Sequence, residues 1–417
     1  MLLTVVAAII GLSVLIIFHE LGHFVAAKKA GIKVYEFSLG FGPKILSIKR
    51  GETLYKVCIV LFGGYVKLAG MDPHERKGEP YEYGSKPIWK RASVAFCGPA
   101  FNFVLAFVLF SFTILMYGIE VIDTRIVGKV EGIEEIEAGD EITTINGEEV
   151  KDWDDILNKI RNRDSVTCTV LRAGKKVKVS FNPNKGTISP LILPVIGGVE
   201  KGGPAFKTGL REGDRILSVN DDPINSWDEF VSIIQANPEK ELKLRWRRGD
   251  KEFENTCIPK KEQRLISGRV KEVGVIGVSV KLKIRKVGVN ALRYGGYQTI
   301  GTIGTTLSFI AKLVKRQLSP RLIGGPVSIV RFMGESARWG SKQFISFIAF
   351  LSIQLFIINL IPIPPLDGGQ LTLLGIEKIR RRAISEREIV ATQTIGFALL
   401  LLLFLYVTFN DILRLIK

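Results

Sequence analysis

Long apolar stretches alternate with charged segments along the 417 residues of this chain. A helix needs about 20 apolar residues to cross the hydrocarbon core of a bilayer. Stretches of this length run over residues 2–27, 97–119, 344–366 and 389–416. The pattern therefore predicts four transmembrane helices. Because the first stretch lacks a basic n-region and a convincing cleavage site, we expect it to be retained rather than removed as a signal peptide.

The net charge of +17 follows from 58 Lys and Arg residues against 41 Asp and Glu residues. Many of the basic residues flank the apolar stretches, in the loops at residues 28–91 and 378–387. With four helices these loops lie on one side, and the positive-inside rule assigns that side to the cytoplasm. Residues 121–342 then lie outside. We expect anionic lipid headgroups as partners and no nucleic acid, because no basic run is interleaved with aromatic residues.

The region outside the membrane contains an internal repeat. Residues 139–146 (GDEITTIN) align with residues 213–220 (GDRILSVN), and a Trp-Asp pair follows each copy at the same distance. Each copy predicts a Gly-Asp turn, an alternating strand, a second turn and a helix. The pattern resembles PDZ domains, which bind peptide C-termini or extended segments by adding a strand to a sheet edge. In the second copy, residues 194–199 lie where the peptide-binding strand is expected.

The first copy is shorter than the second. Residues 204–210 match the helix that precedes the Gly-Asp turn in PDZ domains, whereas residues 131–138 pass almost directly to that turn. We therefore expect peptide binding at the second copy and leave open whether the first copy binds any ligand. After the repeats, residues 287–316 have apolar residues at helical spacing broken by Gly, Lys and Arg, which is typical of an interfacial amphipathic helix.

The first apolar stretch contains the sequence HELGH at residues 19–23. His19 and His23 are about one helical turn apart and can bind one zinc ion, while Glu20 can take a proton from water at the metal. An ionisable group at membrane depth costs roughly 2.5–3.5 kcal/mol on insertion scales, so such groups are usually functional. We therefore predict a zinc site with Glu20 as the catalytic residue, rather than two histidines that only satisfy buried hydrogen bonds.

A catalytic zinc site usually has three protein ligands. The best remaining donor at membrane depth is Asp367, which follows a Pro-rich segment and precedes two glycines. Prolines interrupt a helix, and irregular backbone at that depth is tolerated only where protein or water surrounds it. We therefore expect Asp367 to be a metal ligand rather than an unpaired charge at the end of a span. The third histidine, His74, lies in a charged loop and is expected to be solvated.

Residues 55–68 alternate between apolar and polar positions around Gly63 and Gly64. The pattern predicts a membrane-associated β-hairpin that turns at these glycines and continues through Tyr65. Its exposed edge can hold an extended substrate, so we predict that Gly63, Gly64 and Tyr65 bind substrate. An ordinary loop is the alternative.

Together these motifs resemble the site-2 protease family of intramembrane zinc metalloproteases. The resemblance rests on HELGH, on GGYVK at residues 63–67, on GPAFN at residues 98–102, on the tandem PDZ repeats and on NLIPIPPLDG at residues 359–368. The motifs span nearly the whole chain. They imply an enzyme of the inner (plasma) membrane whose active site faces the cytoplasm and whose PDZ-like domains lie in the periplasm.

The resemblance also implies roles for individual residues. The implied zinc ligands are His19, His23 and Asp367. Glu20 activates the water. Asn102 and Asn359 lie near the site and are expected to bind substrate, Asn359 at the substrate backbone. The implied substrate is a single-span membrane protein, such as an anti-sigma factor, that another protease has already shortened outside the membrane. The PDZ-like pair would then exclude uncut proteins by size.

We therefore expect a multi-span α-helical membrane protein with a β-hairpin and two α+β PDZ-like domains. The expected segments are a first membrane part (residues 1–120), a truncated PDZ-like domain (121–194), a second PDZ-like domain (195–282), an amphipathic interfacial segment (283–340) and a second membrane part (341–417). Two alternatives remain. One is a non-proteolytic membrane PDZ receptor with a structural zinc site, which would not need Glu20. The other is an anchored soluble-type metalloprotease, whose third ligand would have to come from aqueous domains that contain no histidine.

Overall fold

The computed structural model describes residues 2–266 and 269–416. The chain divides into two compact units, each of which is described by itself. The membrane unit comprises the chain up to Met116 together with the chain from Gly288 onward. The repeat unit comprises Tyr117–Val287. Most of the segment that was predicted to lie at the interface, residues 283–340, therefore belongs to the membrane unit.

The described residues form ten α-helices and three short 3₁₀ helices. The α-helices are α1 (Leu2–Lys29), α2 (Ile88–Tyr117), α3 (Trp153–Ile160), α4 (Pro204–Thr208), α5 (Trp227–Ala236), α6 (Ala291–Val314), α7 (Pro326–Trp339), α8 (Ser341–Asn359), α9 (Asp367–Arg380) and α10 (Glu386–Ile416). The 3₁₀ helices cover Pro73–Glu75, Gly288–Asn290 and Pro320–Leu322.

Four helices in the described residues, α1, α2, α8 and α10, are long and apolar enough to cross a membrane. They correspond to the four predicted spans, so this part of the fold prediction is confirmed. The third helix is shorter than its apolar stretch, because α8 ends at Asn359 and α9 begins only at Asp367. The intervening residues include Pro362, Pro364 and Pro365, which cannot donate backbone hydrogen bonds to a continuing helix.

Helices α6 and α7 pack against the spans. Ile303 and Ile310 of α6 contact an apolar cluster contributed by α2 and α8. Gln354 of α8 donates a hydrogen bond of 3.0 Å to Thr306 of α6. The start of α7 is held by Asp411 of α10, which accepts hydrogen bonds from the backbone N–H of Gly325 and Ser328 and from the Ser328 hydroxyl.

The strands are β1 (Val34–Arg50), β2 (Thr53–Leu68), β3 (Ile119–Val121), β4 (Val127–Glu131), β5 (Glu141–Ile145), β6 (Glu148–Glu149), β7 (Val166–Arg172), β8 (Lys175–Phe181), β9 (Thr187–Pro190), β10 (Ile196–Val199), β11 (Arg215–Val219), β12 (Asp222–Pro223), β13 (Leu242–Arg248), β14 (Lys251–Cys257), β15 (Lys260–Ile266), β16 (Arg269–Val275), β17 (Val278–Val280) and β18 (Lys283–Arg285). Of the strands in the described residues, β1 and β2 alone lie in the membrane unit.

The sheet in the membrane unit differs from the predicted hairpin. Its tight turn lies between Arg50 and Thr53, whereas Gly63 and Gly64 lie inside the continuous strand β2. Residues 46–50 pair with residues 53–57, and residues 36–39 lie between residues 54–57 on one side and residues 64–67 on the other. The prediction of a turn at the two glycines is therefore wrong, because both strands bend and each pairs twice. Residues 64–68, here called the edge segment, pair on one side only within the described residues.

The repeat unit contains two similar sheets, ordered β6-β5-β7-β8 and β12-β11-β13-β14. The aligned sequence motifs make the same contacts in both. The guanidinium of Arg172 donates hydrogen bonds to the carboxylate of Asp140, and the guanidinium of Arg248 does the same to Asp214. In each copy the turn asparagine accepts a backbone N–H from the neighbouring strand. Helix α4 precedes the Gly-Asp turn of the second copy, and in the described residues no helix occupies that position in the first.

In the second copy, the expected peptide-binding strand has hydrogen-bonded neighbours on both of its edges. Strand β10 pairs with β17, and Ile196 also exchanges backbone hydrogen bonds with Gly213 and Asp214. The strand expected at residues 194–199 is therefore already paired within the sheet, and peptide binding at these residues stays a prediction. Within the described residues β17 pairs with β10 alone, so the available edge belongs to β17. Sequence pattern alone could not show this, because β17 lies about 80 residues after β10, beyond the length of the repeated motif.

The Asp140–Arg172 pair makes a testable contribution to stability. Burial raises the pKa of Asp140, but the hydrogen bonds from Arg172 and from the Glu137 N–H outweigh it, and the net pKa is lowered. A carboxylate with a lowered pKa stabilises the fold above its unfolded pKa of about 3.9, and this stabilisation is lost as the pH falls through the folded pKa. We expect Asp140→Asn to lower the free energy of unfolding by roughly 1.5–3 kcal/mol at pH 7. The further loss of stability below about pH 4 should be smaller in this variant than in the parent.

Urea unfolding of the solubilised full-length chain, followed by tryptophan fluorescence, measures this effect. The matched control is Glu131→Gln, which breaks the exposed Lys129–Glu131 pair and should leave the unfolding midpoint unchanged. An Asp140→Asn variant as stable as the parent at pH 7 would show that the pair adds nothing.

Candidate active site

The two histidines of the HELGH sequence lie on one face of α1. Their Nε2 atoms are 3.2 Å apart, and the two rings meet edge to face with centroids 4.8 Å apart. This geometry follows from the helix, in which residues i and i+4 lie one turn apart. The histidines thus present two nitrogen donors to one point beside the helix.

Asp367 completes the donor set from a distant part of the chain. It is the first residue of α9 and only 8% exposed. Its Oδ2 atom lies 3.2 Å from Nε2 of His19, and its Oδ1 atom lies 3.4 Å from Nε2 of His23. The interrupted helix therefore delivers the carboxylate to the histidine pair.

Helices α1 and α2 approach each other closely beside this site. A Cβ atom at Gly22 would overlap the backbone carbonyl of Cys97, and a Cβ atom at Gly98 would overlap the imidazole of His23. Only glycine fits at either position. This approach allows the backbone of α2 to reach the histidine rings.

Groups of α2 contact the far nitrogen of each ring. Nδ1 of His23 lies 2.8 Å from the backbone oxygen of Val94, and Nδ1 of His19 lies 3.3 Å from Nδ2 of Asn102. A carbonyl oxygen can only accept, so the proton of His23 lies on Nδ1 and its Nε2 atom is free to bind a metal. The sequence placed Asn102 near the site, and the structure shows which ligand it touches.

The three side chains fit a catalytic zinc ion. One donor atom from each of His19, His23 and Asp367 lies within 4.8 Å of the other two. Two imidazole nitrogens and one carboxylate form a known zinc ligand set, which leaves the fourth position open for water or substrate. The close approach of three donor lone pairs also favours a cation at their centre.

A cavity of about 220 Å³ lies against these ligands and Glu20. Its wall also includes Tyr65, Val66 and Leu68 of the edge segment, together with Met71 and Gln370. Met71 and Gln370 were not among the residues predicted from the sequence. The only available signal was their position beside recognised motifs, Met71 shortly after GGYVK and Gln370 directly after DGG.

The edge segment reaches the site through Gly64. A Cβ atom at Gly64 would lie 2.8 Å from the backbone oxygen of Ser38 and 3.3 Å from Cγ of Glu20. A larger residue would therefore press β2 away from Glu20. The hydroxyl of Tyr65 donates a 2.7 Å hydrogen bond to Glu36. Hydrogen bonds from Lys56 and from Tyr65 lower the pKa of Glu36, which keeps this carboxylate charged and the tyrosine oriented.

The two asparagines occupy different environments. Asn359 is the last residue of α8, directly before the Pro-rich segment, and is partly exposed. Asn102 is completely buried and is not part of the cavity wall. The expectation that Asn102 binds substrate is therefore not supported, because a peptide cannot reach a side chain enclosed by protein.

An ion pair fixes α9 against α2. The guanidinium of Arg91 donates two hydrogen bonds, of 3.0 and 2.5 Å, to the carboxylate of Glu377. Both side chains are largely buried, and paired contacts between a guanidinium and a carboxylate are directional as well as strong. The pair therefore holds the helix that begins with Asp367 in a defined position.

An apolar helix that carries two histidines and a glutamate, with an aspartate converging on them from the start of α9, defines a membrane metalloprotease. A model of peptidase family M50 matches residues 7–403, and the chain belongs to this family. The interpretation as a non-proteolytic PDZ receptor is therefore not favoured.

Related proteins match over almost their full length. The regulator of sigma-E protease RseP of Escherichia coli K12 is 32% identical over 451 residues, and the match covers 98% of each chain. The regulator of sigma-W protease RasP of Bacillus subtilis 168 is 32% identical over 430 residues, covering 99% of each chain. A Neisseria meningitidis protein named as a zinc metalloprotease is 30% identical over 450 residues, covering 99% of each.

One solved structure matches a smaller part. The PDZ domain of the SdrC-like protein of Listeria monocytogenes is 20% identical, and the match covers 22% of this chain and 92% of that one. Its TM-score of 0.18 is too low to carry a structural argument.

The Gly98 contact predicts a strong effect of one added methyl group. We expect Gly98→Ala to weaken zinc binding at least tenfold, because the new Cβ atom displaces the His23 ring. Chelator competition on the purified protein measures the affinity. The matched control is Gly375→Ala in α9, where a Cβ atom meets nothing within 4 Å. Equal zinc affinity of Gly98→Ala and the control would show that the close approach is not required.

Proposed function

We propose that this protein is a zinc-dependent intramembrane endopeptidase whose metal ligands are His19, His23 and Asp367. The observation that carries the proposal is the convergence of these three donors beside Glu20 and a cavity, with His19, Glu20 and His23 on a helix apolar enough to span a membrane. When bound, zinc polarises the scissile carbonyl and lowers the pKa of water toward about 7.

Glu20 is the general base. Its side chain lines the same cavity as the ligands and belongs to the same helix as the histidines, so it faces the bond to be cut. Glu20 accepts a proton from the attacking water and then gives it to the leaving amine. A structural metal site would need no proton acceptor, which favours an enzyme over a zinc-containing receptor.

The substrate binds as an extended strand along the edge segment. A transmembrane helix hides its carbonyl groups in its own hydrogen bonds, so it must unwind before cleavage. The edge segment has one unpaired side within the described residues and forms part of the cavity wall. It can hold the unwound main chain by β-augmentation. Gly64 and Tyr65 belong to this surface, Gly63 precedes it, and Asn359 contacts the substrate backbone from the end of α8.

The substrate is a single-span membrane protein of the anti-sigma-factor type, already shortened by another protease. The names of the relatives RseP and RasP, regulators of sigma-E and sigma-W proteases, support this class. The active site faces the cytoplasmic side of the inner membrane, an orientation that the basic loops support, and these loops meet anionic lipids there. The repeat unit lies in the periplasm, excludes uncut proteins by size, and offers β17 of its second copy to peptides.

The decisive experiment replaces Glu20 with glutamine. We expect Glu20→Gln to bind zinc like the parent but to lose cleavage of a model transmembrane substrate by at least 100-fold, because the ligands remain while the proton acceptor is lost. Zinc content and product formation are measured on the same preparation. Substantial cleavage by a zinc-loaded Glu20→Gln variant would exclude Glu20 as the base.

Proline substitutions test the edge segment. Proline removes a backbone donor, and each main-chain hydrogen bond has a net value of about 0.5–1.5 kcal/mol. We expect Val66→Pro or Lys67→Pro to reduce cleavage roughly 2–12-fold or more while zinc binding is kept, since 1.4 kcal/mol corresponds to a factor of ten. The control is Ile59→Pro at an exposed position of β2 outside the edge segment. If all three variants cleave the substrate as fast as the parent, the substrate is held elsewhere.

A further inference from the structure

Asn102 has a polar atom without a partner beside a metal ligand. The side chain is 0% exposed. Its Nδ2 atom faces Nδ1 of His19 at 3.3 Å, while its Oδ1 atom is buried and has no hydrogen-bond partner among the described residues. Buried side-chain amides normally satisfy both ends, so this arrangement needs an explanation.

The chemistry of His19 supplies the explanation. Its Nε2 atom points to Asp367 and to Nε2 of His23, so this is the nitrogen that binds a metal. A neutral imidazole that binds through Nε2 has its proton on Nδ1, and that proton needs an acceptor. A half-turn of the Asn102 amide exchanges its two ends and brings Oδ1 to Nδ1. This change gives the ring proton an acceptor and the oxygen a donor, and it moves the amide nitrogen to the position that the oxygen held.

We propose that Asn102 is a positioning residue that selects the metal-binding tautomer of His19 by accepting its Nδ1 proton. The role matches that of the Val94 carbonyl, which accepts from Nδ1 of His23. Both groups belong to α2, so one helix orients both histidines. The inference rests on the proposed zinc ligand set and goes beyond it, because it assigns Asn102 to the metal rather than to the substrate.

The test is the zinc affinity of the solubilised full-length protein, measured by competition with a chelator. Asn102→Leu has similar bulk and no acceptor, and we expect it to bind zinc 10–100-fold more weakly. Asn102→Asp keeps an acceptor at the same distance and should bind zinc at least as tightly as the parent. If Asn102→Leu does not fold, Asn102→Ala removes the amide without adding bulk and is compared with Asn102→Asp in the same way.

Ser352→Ala is the matched control. The Ser352 hydroxyl is buried and donates a hydrogen bond of 2.7 Å to the backbone oxygen of Asn102. Its loss therefore changes the packing at Asn102 without removing a contact to His19. We expect its zinc affinity to equal that of the parent. Co²⁺ absorption spectra of the variants report the ligand geometry independently of proteolysis.

The outcomes separate this inference from the proposed function. Parent-like zinc affinity of Asn102→Leu, or an equal loss in Asn102→Leu and Asn102→Asp, overturns the role of Asn102. His19→Ala is measured alongside these variants. If His19→Ala keeps the parent affinity, the ligand set itself is wrong and the proposed function fails with it.

Discussion

The contact between Gly22 of α1 and Gly98 of α2 is the constraint on which the site depends. At any wider spacing the Val94 carbonyl could not reach Nδ1 of His23 at 2.8 Å. The two glycines contribute no chemistry of their own. They remove side chains that would separate the helices, and in a lipid environment such close backbone approach is a common basis of helix association. The side chains of the proposed metal site are therefore oriented by backbone packing.

One stripe of α2 supports all three ligands. Arg91, Val94, Gly98 and Asn102 follow the helical spacing of three or four residues, so they lie on one face. Val94 and Asn102 contact the two histidine rings, and Arg91 holds α9 through Glu377. Asp367 at the start of α9 is thus positioned from the same face that orients the histidines. This arrangement explains how ligands separated by more than 340 residues can form one rigid set.

The convergence of the residues in the proposed metal site was predictable because their chemistry is uncommon at membrane depth. His19, His23 and Asp367 stand out among apolar residues, and the prolines before Asp367 indicate the helix break that the structure contains. The path of β1 and β2 was not predictable, because a Gly-Gly pair is compatible with a turn or with a bend inside a strand. The pairing of β10 in the second repeat was missed for a related reason. Strand pairing between β10 and β17 is non-local and leaves no periodic signal.

The edge segment presents the remaining physical problem of the site. An unpaired strand edge exposes backbone donors and acceptors, which is a liability in water and costly in lipid. Here the unpaired edge lies beside Glu20, and Gly64 permits the contact between β2 and the Glu20 side chain. A substrate helix has the opposite problem, because its carbonyls become accessible only when its own hydrogen bonds break. In the proposed function, pairing the unwound segment with the edge solves both problems at once, since each chain supplies the partners that the other lacks. The hydrogen bonds that a substrate helix loses on unwinding are therefore replaced, in this proposal, by hydrogen bonds to the unpaired edge.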